Sequence, residues 1–374
     1  MSSAQALSQN ARLEALLESQ LSDDTRTVEI DGLTGALSAE ATIEALRISD
    51  PVGVWLVLED ARLDWNRAAL LRGELDVSAL AAAKLRIERT PVTEPSVPNA
   101  QASGVRIPEL PISIRVDRFA IDEIVLGEAL LGEAATATVA AQAVLDDGGL
   151  QLELEASRLD TQRGEILLDV SFTRADERLS VTTRIDEPEG GVVATAIGLP
   201  GSPSVSLDIA GSGPLDAFDA DLTLATDGQN RITGGVSLNG TGAGGVRRFR
   251  ADLVGDIRPL LVSKARAFFG PETRVQLQGV QTREGVLDLT NLQMNAAQIL
   301  VQGRARFAPS RTPERIALDV QITDTREVRL PGTDVSLAGA NLGVQFDATK
   351  SDDWTISGRA SDVFASGLRF GTMS

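Results

Sequence analysis

Apolar and polar residues alternate with a period of two along most of this chain of 374 residues. The stretch IALDVQIT at 316–323 is typical, because every second residue from Ile316 to Ile322 is large and aliphatic. Successive side chains of a strand point to opposite faces of a sheet, so the pattern predicts strands with one apolar and one wet face. Roughly 20 such runs follow one another between turn sequences such as Asn239-Gly240, which predicts a mainly β, mostly antiparallel fold.

A sheet of this size needs some cover for its apolar face. At about 4.8 Å between neighbours, roughly 20 strands would extend for roughly 100 Å along the stacking direction. Such a sheet must close into a barrel, split into a sandwich or curl around something apolar. Aromatic residues make up only 3% of the chain, and the apolar mass is aliphatic, which favours the curled, elongated form. A dry sandwich or a closed barrel core remains the alternative.

Four segments break the alternation. Apolar residues at helical spacing predict a helix over 4–21, a short helical turn over 65–71 and a second helix over 256–269. The stretch from Pro91 to Pro111 holds five of the 15 prolines and predicts a connecting segment. The expected organisation is therefore a helix at 1–22, a β module at 23–90, a connection at 91–111 and a continuous β body at 112–374.

The composition argues against enzymatic chemistry. The chain contains no histidine and no cysteine, so it lacks the commonest general base, the commonest metal ligand and every thiol nucleophile. We therefore expect no enzyme, no metal and no cofactor. The net charge of −18 disfavours nucleic acid as a partner, since binding phosphate backbones requires clustered Lys and Arg.

The candidate site is the apolar face of the alternating strands. An apolar wall of this kind can hold acyl chains, although it can equally be the interior of a dry core. The candidate residues are Val54, Leu56, Leu58, Ile112, Ile114, Val116, Leu150, Leu152, Leu154, Val205, Leu207, Ile209, Leu222, Leu224, Val275, Leu277, Leu287, Leu289, Ile316, Leu318, Val320, Ile322, Leu342, Val344 and Phe346.

Smaller motifs have plainer interpretations. We expect Trp65 to pack a turn that Asp64 or Asn66 caps. The acidic pairs Asp146-Asp147 and Asp352-Asp353 do not have the spacing of a calcium loop and are expected to be solvated turns. Gly234-Gly235 and the glycine-rich stretch 242–245 are followed by no Gly-Lys-Ser/Thr, so we interpret them as turns or strand kinks.

The N-terminal block carries a family resemblance. It contains VEIDGLTGAL at 28–37, ATIEALRISDP at 41–51, GVWL at 53–56 and LDWNRAALLRGEL at 63–75. With SGVRIPELP at 103–111 and GPLDAF at 213–218, this block resembles the TamB-like proteins of the AsmA-like, bridge-like lipid transfer group, in an alphaproteobacterial form. These are the inner-membrane subunits of the translocation and assembly module. The resemblance covers most of the chain and is strongest over 28–130.

The resemblance implies a function and a place in the cell. Proteins of this group have an N-terminal membrane anchor, a long periplasmic β-sheet folded lengthwise into a U-shaped, taco-like groove with an apolar interior, and a C-terminal domain that meets the outer-membrane barrel TamA. They are implicated in phospholipid transport between the membranes and in assembly of outer-membrane β-barrel proteins. We find no signal peptide and no membrane span here, so we expect a periplasmic fragment that lacks both the anchor and the TamA-facing domain. The expected partners are phospholipid acyl chains, with a chaperone-like scaffold for barrel assembly as the alternative function.

Overall fold

The mainly β architecture is confirmed by a computed structural model, in which 68% of the chain is strand. The structure describes residues 12, 14–23, 25–35, 38–92, 113–160, 164–242, 246–263, 266, 269–282, 284–310, 312–329, 335–350, 353–365 and 368–373. These residues form 20 strands, the number that the alternation predicts. Of the pairings described below, all but one are antiparallel, as expected.

The chain forms two compact units. The first contains the described residues up to Gly198 together with Ser202–Val205, and the second contains Leu199–Gly201 and the described residues from Ser206 onward. This division differs from the expected one, because strands on both sides of the proline-rich segment pair directly and so belong to one unit. Most of that segment, from residue 93 to residue 112, lies outside the described residues.

The first unit is a ladder of nine strands in chain order. Each strand pairs with its successor, and the pairing of the fourth with the fifth is parallel while the other seven are antiparallel. A parallel pair cannot be joined by a hairpin and needs a crossover connection. The strands are β1 (Thr27–Asp31), β2 (Glu40–Asp50), β3 (Gly53–Trp65), β4 (Glu74–Ile87), β5 (Ser113–Leu126), β6 (Ala135–Asp146), β7 (Gly149–Arg158), β8 (Glu165–Thr173) and β9 (Arg178–Glu187).

The second unit continues the same scheme with antiparallel neighbours. Its pairings run from strand to strand in chain order, with occasional bulges. The strands are β10 (Val205–Pro214), β11 (Ala217–Thr226), β12 (Gln229–Gly242), β13 (Val246–Gly255), β14 (Thr273–Gln281), β15 (Leu287–Asn295), β16 (Ile299–Phe307), β17 (Pro313–Arg329), β18 (Ser336–Asp347), β19 (Trp354–Ala365) and β20 (Leu368–Met373).

The alternation changes phase in the middle of β3, β4 and β5. On each strand two apolar residues three positions apart pack in one buried cluster, although a regular strand would place them on opposite faces. Asp60, which lies inside this interval on β3, has a positive φ of 50°. The pairs are Leu58 and Ala61, Ala82 and Leu85, and Ile121 and Ile124, and they lie side by side across the ladder.

The helices are short. Residues 14–21 form α1, which matches part of the expected helix over 4–21, while residues 1–11 and 13 lie outside the described part. Arg67–Leu70 form α2, Glu128–Leu131 form α3 and Val192–Ala196 form α4. Within the expected helix over 256–269, Arg258–Leu260 form a 3₁₀ turn, and four of the remaining residues are not described. Over the residues that the structure covers, no helix has the length and apolar character needed to cross a membrane.

The expected cap of the 65–71 turn is wrong. Asn66 occupies the position before α2, but its side chain makes no capping hydrogen bond and its amide instead donates to Asp76 at 3.3 Å. The Asp64 carboxylate accepts hydrogen bonds from Arg62. The indole Nε1–H of Trp65 donates to the carbonyl of Ser38 at 3.1 Å, in the segment that precedes β2. The expected packing of Trp65 against the turn stays a prediction.

A buried ion pair joins the end of β4 to the β2–β3 turn. The two guanidinium nitrogens of Arg89 each lie 2.6 Å from a carboxylate oxygen of Asp50, whose side chain is only 1% exposed. Arg89 also donates to the carbonyl of Gly53, and the Val92 N–H donates to Asp50. Hydrogen bonding from Arg89 is the main reason that the pKa of Asp50 lies well below its usual range. This pair therefore fixes the chain where it leaves β4.

Candidate functional site

Paired residues in the first unit place its apolar side chains in continuous rows. Partners in a ladder share a face, so the register can be followed from strand to strand. On β7, the predicted residues Leu150, Leu152 and Leu154 each continue such a row. Three rows are apolar from β5 to β9: Ile114, Leu145, Leu150, Phe172 and Leu179; Val116, Ala143, Leu152, Val170 and Val181; and Ile121, Val139, Ala156, Ile166 and Ile185. The row through Leu154 contains Phe119, Ala141, Leu154 and Leu168 and ends at Thr183 of β9.

These rows extend toward β1 through the other half of the unit. Val116 lies beside Val77 of β4, and the predicted residues Leu56 and Leu58 of β3 lie between apolar residues of β2 and β4. We call the whole set the first apolar face. Its members on β1 to β4 are Val28, Ile30, Leu46, Ile48, Leu56, Leu58, Ala61, Leu63, Leu75, Val77, Leu80, Ala82, Leu85 and Ile87.

The second unit has an equivalent face, which we call the second apolar face. In its middle row Leu277 lies beside Leu292, and Leu318 lies beside Val344. Gly303 lies between Leu292 and Leu318 and connects the two pairs. Three rows run from β11 to β19: Phe218, Leu238, Phe249, Gly279, Leu289, Ala305, Ile316, Phe346 and Trp354; Ala220, Val236, Ala251, Leu277, Leu292, Gly303, Leu318, Val344 and Ile356; and Leu222, Gly234, Leu253, Val275, Met294, Val301, Val320, Leu342 and Gly358.

Two glycines in these rows make room for a neighbouring side chain. A Cβ on Gly279 would lie 2.5 Å from the carbonyl oxygen of Asp288 and 2.6 Å from the ring of Phe249, and one on Gly303 would lie against the carbonyl oxygen of Ala317 and 2.8 Å from Leu318. These distances are shorter than any normal contact, so a side chain at either position would displace both the backbone of the neighbouring strand and the adjacent apolar residue. The glycines thus keep the apolar rows continuous rather than interrupting them.

The opposite face of each unit is polar. On β7, Gln151, Glu153 and Glu155 alternate with the leucines and are exposed. In the second unit Arg274 donates to both carboxylate oxygens of Asp252, at 2.8 and 2.6 Å, and Gln276 donates to one of them. These hydrogen bonds, chiefly those from Arg274, lower the pKa of Asp252 to about 2. The register therefore separates ionic chemistry from the apolar faces.

Most side chains of the apolar faces are half-buried. Leu150, Leu152 and Leu154, for example, retain part of their surface in solvent, as does Leu318. Among the described residues, the largest side chains that are 2% exposed or less are Val205, Thr226 and Thr273. A dry sandwich or barrel core of this length would bury many Leu, Ile and Phe side chains completely.

Each buried cluster lies within one of the two units. One combines apolar residues of β2 to β5, and another combines residues of β16 to β19 with Phe269 and Val335. The third combines β1 and β2 with Leu17 of α1. These clusters form between ladder neighbours, so they do not require a second sheet stacked on the apolar faces.

Most of the candidate residues lie on one or the other of the two apolar faces, with three exceptions. Val54 pairs with Ser49 across a bulge at Trp55, whereas Leu56 pairs with Ile48, so the expected common face of Val54 and Leu56 is wrong. Val54 is accordingly 44% exposed. Ile112 lies outside the described residues. Val205 is 2% exposed, so it is packed rather than part of an open wall. Ile322 keeps its place on the second apolar face but is likewise packed, since it is 4% exposed and belongs to a buried cluster.

The remaining candidates lie where the alternation predicts. Gly211 lies against Ala220 and Phe218, which places Leu207 and Ile209 of the same strand on the second apolar face. The other candidates occupy that face or continue its rows: Leu222, Leu224, Val275, Leu277, Leu287, Leu289, Ile316, Leu318, Val320, Ile322, Leu342, Val344 and Phe346.

Several members of the faces were missed by sequence reasoning. Val170 and Val181 belong to β8 and β9. The sequences of these strands also alternate, but none of their residues is among the candidates. Ala61, Ala82 and Ile121 lie beyond the phase change, where simple alternation assigns them to the wrong face. Following the register from the leucines of β7 would have found the first group but not the second.

The rival local sites are turns or polar surface. Asp146 accepts hydrogen bonds from the N–H groups of Gly148 and Gly149, so it stabilises a turn, as expected. Asp352 lies outside the described residues. Within the described ranges no group of acidic residues has the arrangement of a metal site. A concavity of about 510 Å³ lies against Gln142, Glu153 and Asp169, on the polar side of the first unit.

Neither protein-family models, nor curated proteins, nor solved structures yielded a match to this chain.

Proposed function

We propose that this chain is a non-enzymatic part of a periplasmic conduit that carries phospholipids between the two membranes of a Gram-negative cell. The observation that carries the proposal is the pair of register-aligned apolar faces, each nine strands wide, whose side chains are mostly half-buried. In this proposal each face is the wall of a groove that holds acyl chains, while the charged headgroup stays in water.

Continuity of the rows is what transport would need. Each buried CH₂ group contributes about 0.8 kcal/mol relative to water. An acyl chain that moves from Leu152 to the neighbouring Val170 exchanges one aliphatic surface for another. Because the free energy of the acyl chain changes little along such a wall, the lipid can advance without crossing a large barrier.

The resemblance to the TamB-like group adds the cellular setting to the proposal. In that setting the native protein is anchored in the inner membrane by a segment before this chain and meets a TamA-like outer-membrane barrel through a segment after it.

The experiment that tests the proposal is lipid analysis of the purified chain. We expect phospholipid to co-purify, as detected by mass spectrometry, and the protein to take up a fluorescent phospholipid from vesicles. If the folded protein carries no phospholipid and accepts none, the conduit proposal fails. Crosslinking of the same lipid-free protein to outer-membrane β-barrel proteins would then favour the scaffold function.

A volume test uses two neighbouring alanines of β6. Ala141 pairs with Phe119 and Leu154 on the first apolar face, whereas Ala140 pairs with Ala120 and Glu155 and is exposed on the polar face. We expect Ala141→Trp to slow phospholipid transfer several-fold, because the large ring obstructs the path without adding charge. The melting temperature should fall little, because an open wall has room for the ring.

The matched control for this test is Ala140→Trp, which should leave the transfer rate unchanged. If Ala141→Trp instead loses much stability, and its transfer rate falls only as far as the loss of folded protein explains, the site is a tightly packed core, where added volume is not tolerated.

A further inference from the structure

One end of the first apolar face carries buried charges, an exception to the separation of ionic groups from that face. Along β7 every second residue from Leu150 to Ala156 is apolar, and the next residue of this series is Arg158. Along β9 the series that contains Ile185 ends in the same way, at Glu187. A wall that is apolar along its length and charged at one end is complementary to the two parts of an amphiphile.

The register places these two charges in one row. Arg158 pairs with Ala137 of β6, which pairs with Ile124 of the buried cluster on β3 to β5. On its other side the Arg158 N–H donates to the carbonyl of Gly164, the residue before β8, at 2.9 Å. A Cβ on Gly164 would lie 3.1 Å from Arg158 Cδ and 3.1 Å from Glu187 Cγ. Arg158, Gly164 and Glu187 therefore share the face of the apolar rows, and no side chain separates the two charges.

Both charged side chains are enclosed. The Arg158 side chain is 7% exposed, and Glu187 is 5% exposed. Nε and Nη2 of Arg158 donate to the Asp160 carboxylate at 3.1 and 2.5 Å. Nη1 is buried and finds no acceptor within the part of the chain that the structure describes. A buried guanidinium donor without an acceptor is costly, so an anionic oxygen beside Nη1 is strongly favoured.

Two short helices cover this end of the face. The Val193 N–H of α4 donates to Glu187 Oε2 at 2.7 Å. A Cβ on Gly132, the residue after α3, would lie 3.3 Å from Thr195 of α4, so the two helices meet. Glu133 follows Gly132, and its Oε1 is buried with no hydrogen-bond donor among the described residues. The covered end of the face thus contains an unsatisfied cationic donor and an unsatisfied anionic acceptor.

We propose that this charged end is a headgroup site for a phospholipid whose headgroup carries both a phosphate and a primary ammonium group. Arg158 Nη1 donates to a phosphate oxygen, and the ammonium donates to the carboxylates of Glu133 and Glu187. One acyl chain lies along the leucines of β7. The site rests on the proposed function, because it names the class of lipid that the first apolar face carries.

The charges at this end select among headgroups. Three carboxylates, those of Glu133, Asp160 and Glu187, accompany the single guanidinium of Arg158, so a headgroup with a phosphate and no cation is repelled. A trimethylammonium headgroup carries the positive charge but has no N–H to donate to Glu133. Since α4 closes over Glu187, the headgroup enters as α4 is displaced, and the ammonium then replaces the Val193 N–H as the donor to Glu187.

The test measures which lipids the full chain takes up from vesicles with equal amounts of phosphatidylethanolamine, phosphatidylcholine and phosphatidylglycerol, by mass spectrometry of the bound lipid. We expect phosphatidylethanolamine to be enriched at least threefold over each of the others, and amide exchange over 191–197 to accelerate when it binds. In Glu133→Gln/Glu187→Gln the enrichment should disappear at unchanged total loading, because glutamine keeps an acceptor for the Val193 N–H and removes the charge. Arg158→Gln should also remove the enrichment. If that variant does not fold, the glutamate variant decides.

The matched control is Glu153→Gln/Glu155→Gln, which removes the same charge from exposed positions on the polar face of β7 and should keep the enrichment. Equal uptake of the three lipids by the native chain would overturn the headgroup site, as would enrichment that survives in Glu133→Gln/Glu187→Gln or unchanged exchange over 191–197. Competition by soluble phosphoethanolamine would overturn the assignment to a lipid. No bound lipid of any kind would instead contradict the proposed function, on which the site depends.

Discussion

Replacement of Leu152 by arginine should lower phospholipid loading of the purified chain at least about tenfold, since a cation in a hydrocarbon environment costs about 2.5–3.5 kcal/mol and 1.4 kcal/mol corresponds to a factor of ten. Leu152 lies between Ala143 and Val170, in the middle of a row of the first apolar face. We expect less than the full penalty, because this residue is half-buried and an arginine there can extend toward water. Native mass spectrometry of lipid-bound protein measures the loading.

The neighbouring position supplies the control. Gln151 lies on the opposite face of the same strand and is exposed, so Gln151→Arg adds the same charge without touching the apolar wall. It should leave lipid loading unchanged. The second unit offers an equivalent pair, Leu318→Arg on the apolar face and Asp319→Arg on the polar face. Leu207→Glu tests the second apolar face with a negative charge. If the apolar-face variants unfold while their controls do not, a dry core becomes the better description.

Removal of Arg89 should produce the largest loss of stability among single ion-pair variants. Arg89→Ala leaves the Asp50 carboxylate nearly buried without its cation, and an unpaired buried charge is strongly destabilising. We expect a clear fall in the urea midpoint at pH 7. Arg62→Ala is a suitable control, because Arg62 is 54% exposed and its partners Asp64 and Glu40 are 26% and 55% exposed, and ion pairs in contact with solvent contribute little.

The pH dependence of that difference has a definite sign. The pKa of Asp50 is lowered in the folded protein, chiefly by its hydrogen bonds to Arg89, so ionised Asp50 stabilises the fold. This contribution is present above the unfolded-state pKa of about 4 and is lost as the pH falls through the folded-state pKa. The urea midpoints of the native chain and of Arg89→Ala should therefore converge below about pH 4. A difference that is constant from pH 7 to pH 3 would contradict this role of Asp50.

Most of the fold could be predicted from the sequence because period-two alternation reports directly on strand faces. The leucines of β7 and the aliphatic residues of β17 illustrate this, since each lies on the face that simple alternation assigns. Alternation fails where the backbone inserts an extra residue. The bulge at Trp55 moves Val54 to the other face, and nothing in the surrounding residues distinguishes Trp55 from a regular strand position.

Other features depend on distant partners and therefore leave no local signal. The phase change at Asp60 is shared by β3, β4 and β5, so each strand adopts it together with its neighbours. The parallel pairing of β4 with β5 depends on the path of the chain between them, which alternation does not encode. The contact of α1 with β1 depends on the Ile30 and Leu33 N–H groups, which donate to glutamates of α1 that lie 12 and 19 positions away and resemble ordinary surface glutamates.

The central claim, that the apolar faces contact acyl chains, can be measured residue by residue. The chain has no cysteine, so a cysteine introduced at position 152 or 151 is the only site for a thiol-reactive fluorophore. Phospholipid carrying a nitroxide on its acyl chain should quench the fluorophore at position 152 strongly and the one at position 151 weakly. The positions 318 and 319 should behave in the same way. Equal quenching at both positions of each pair, or none at either in a folded protein, would contradict the account.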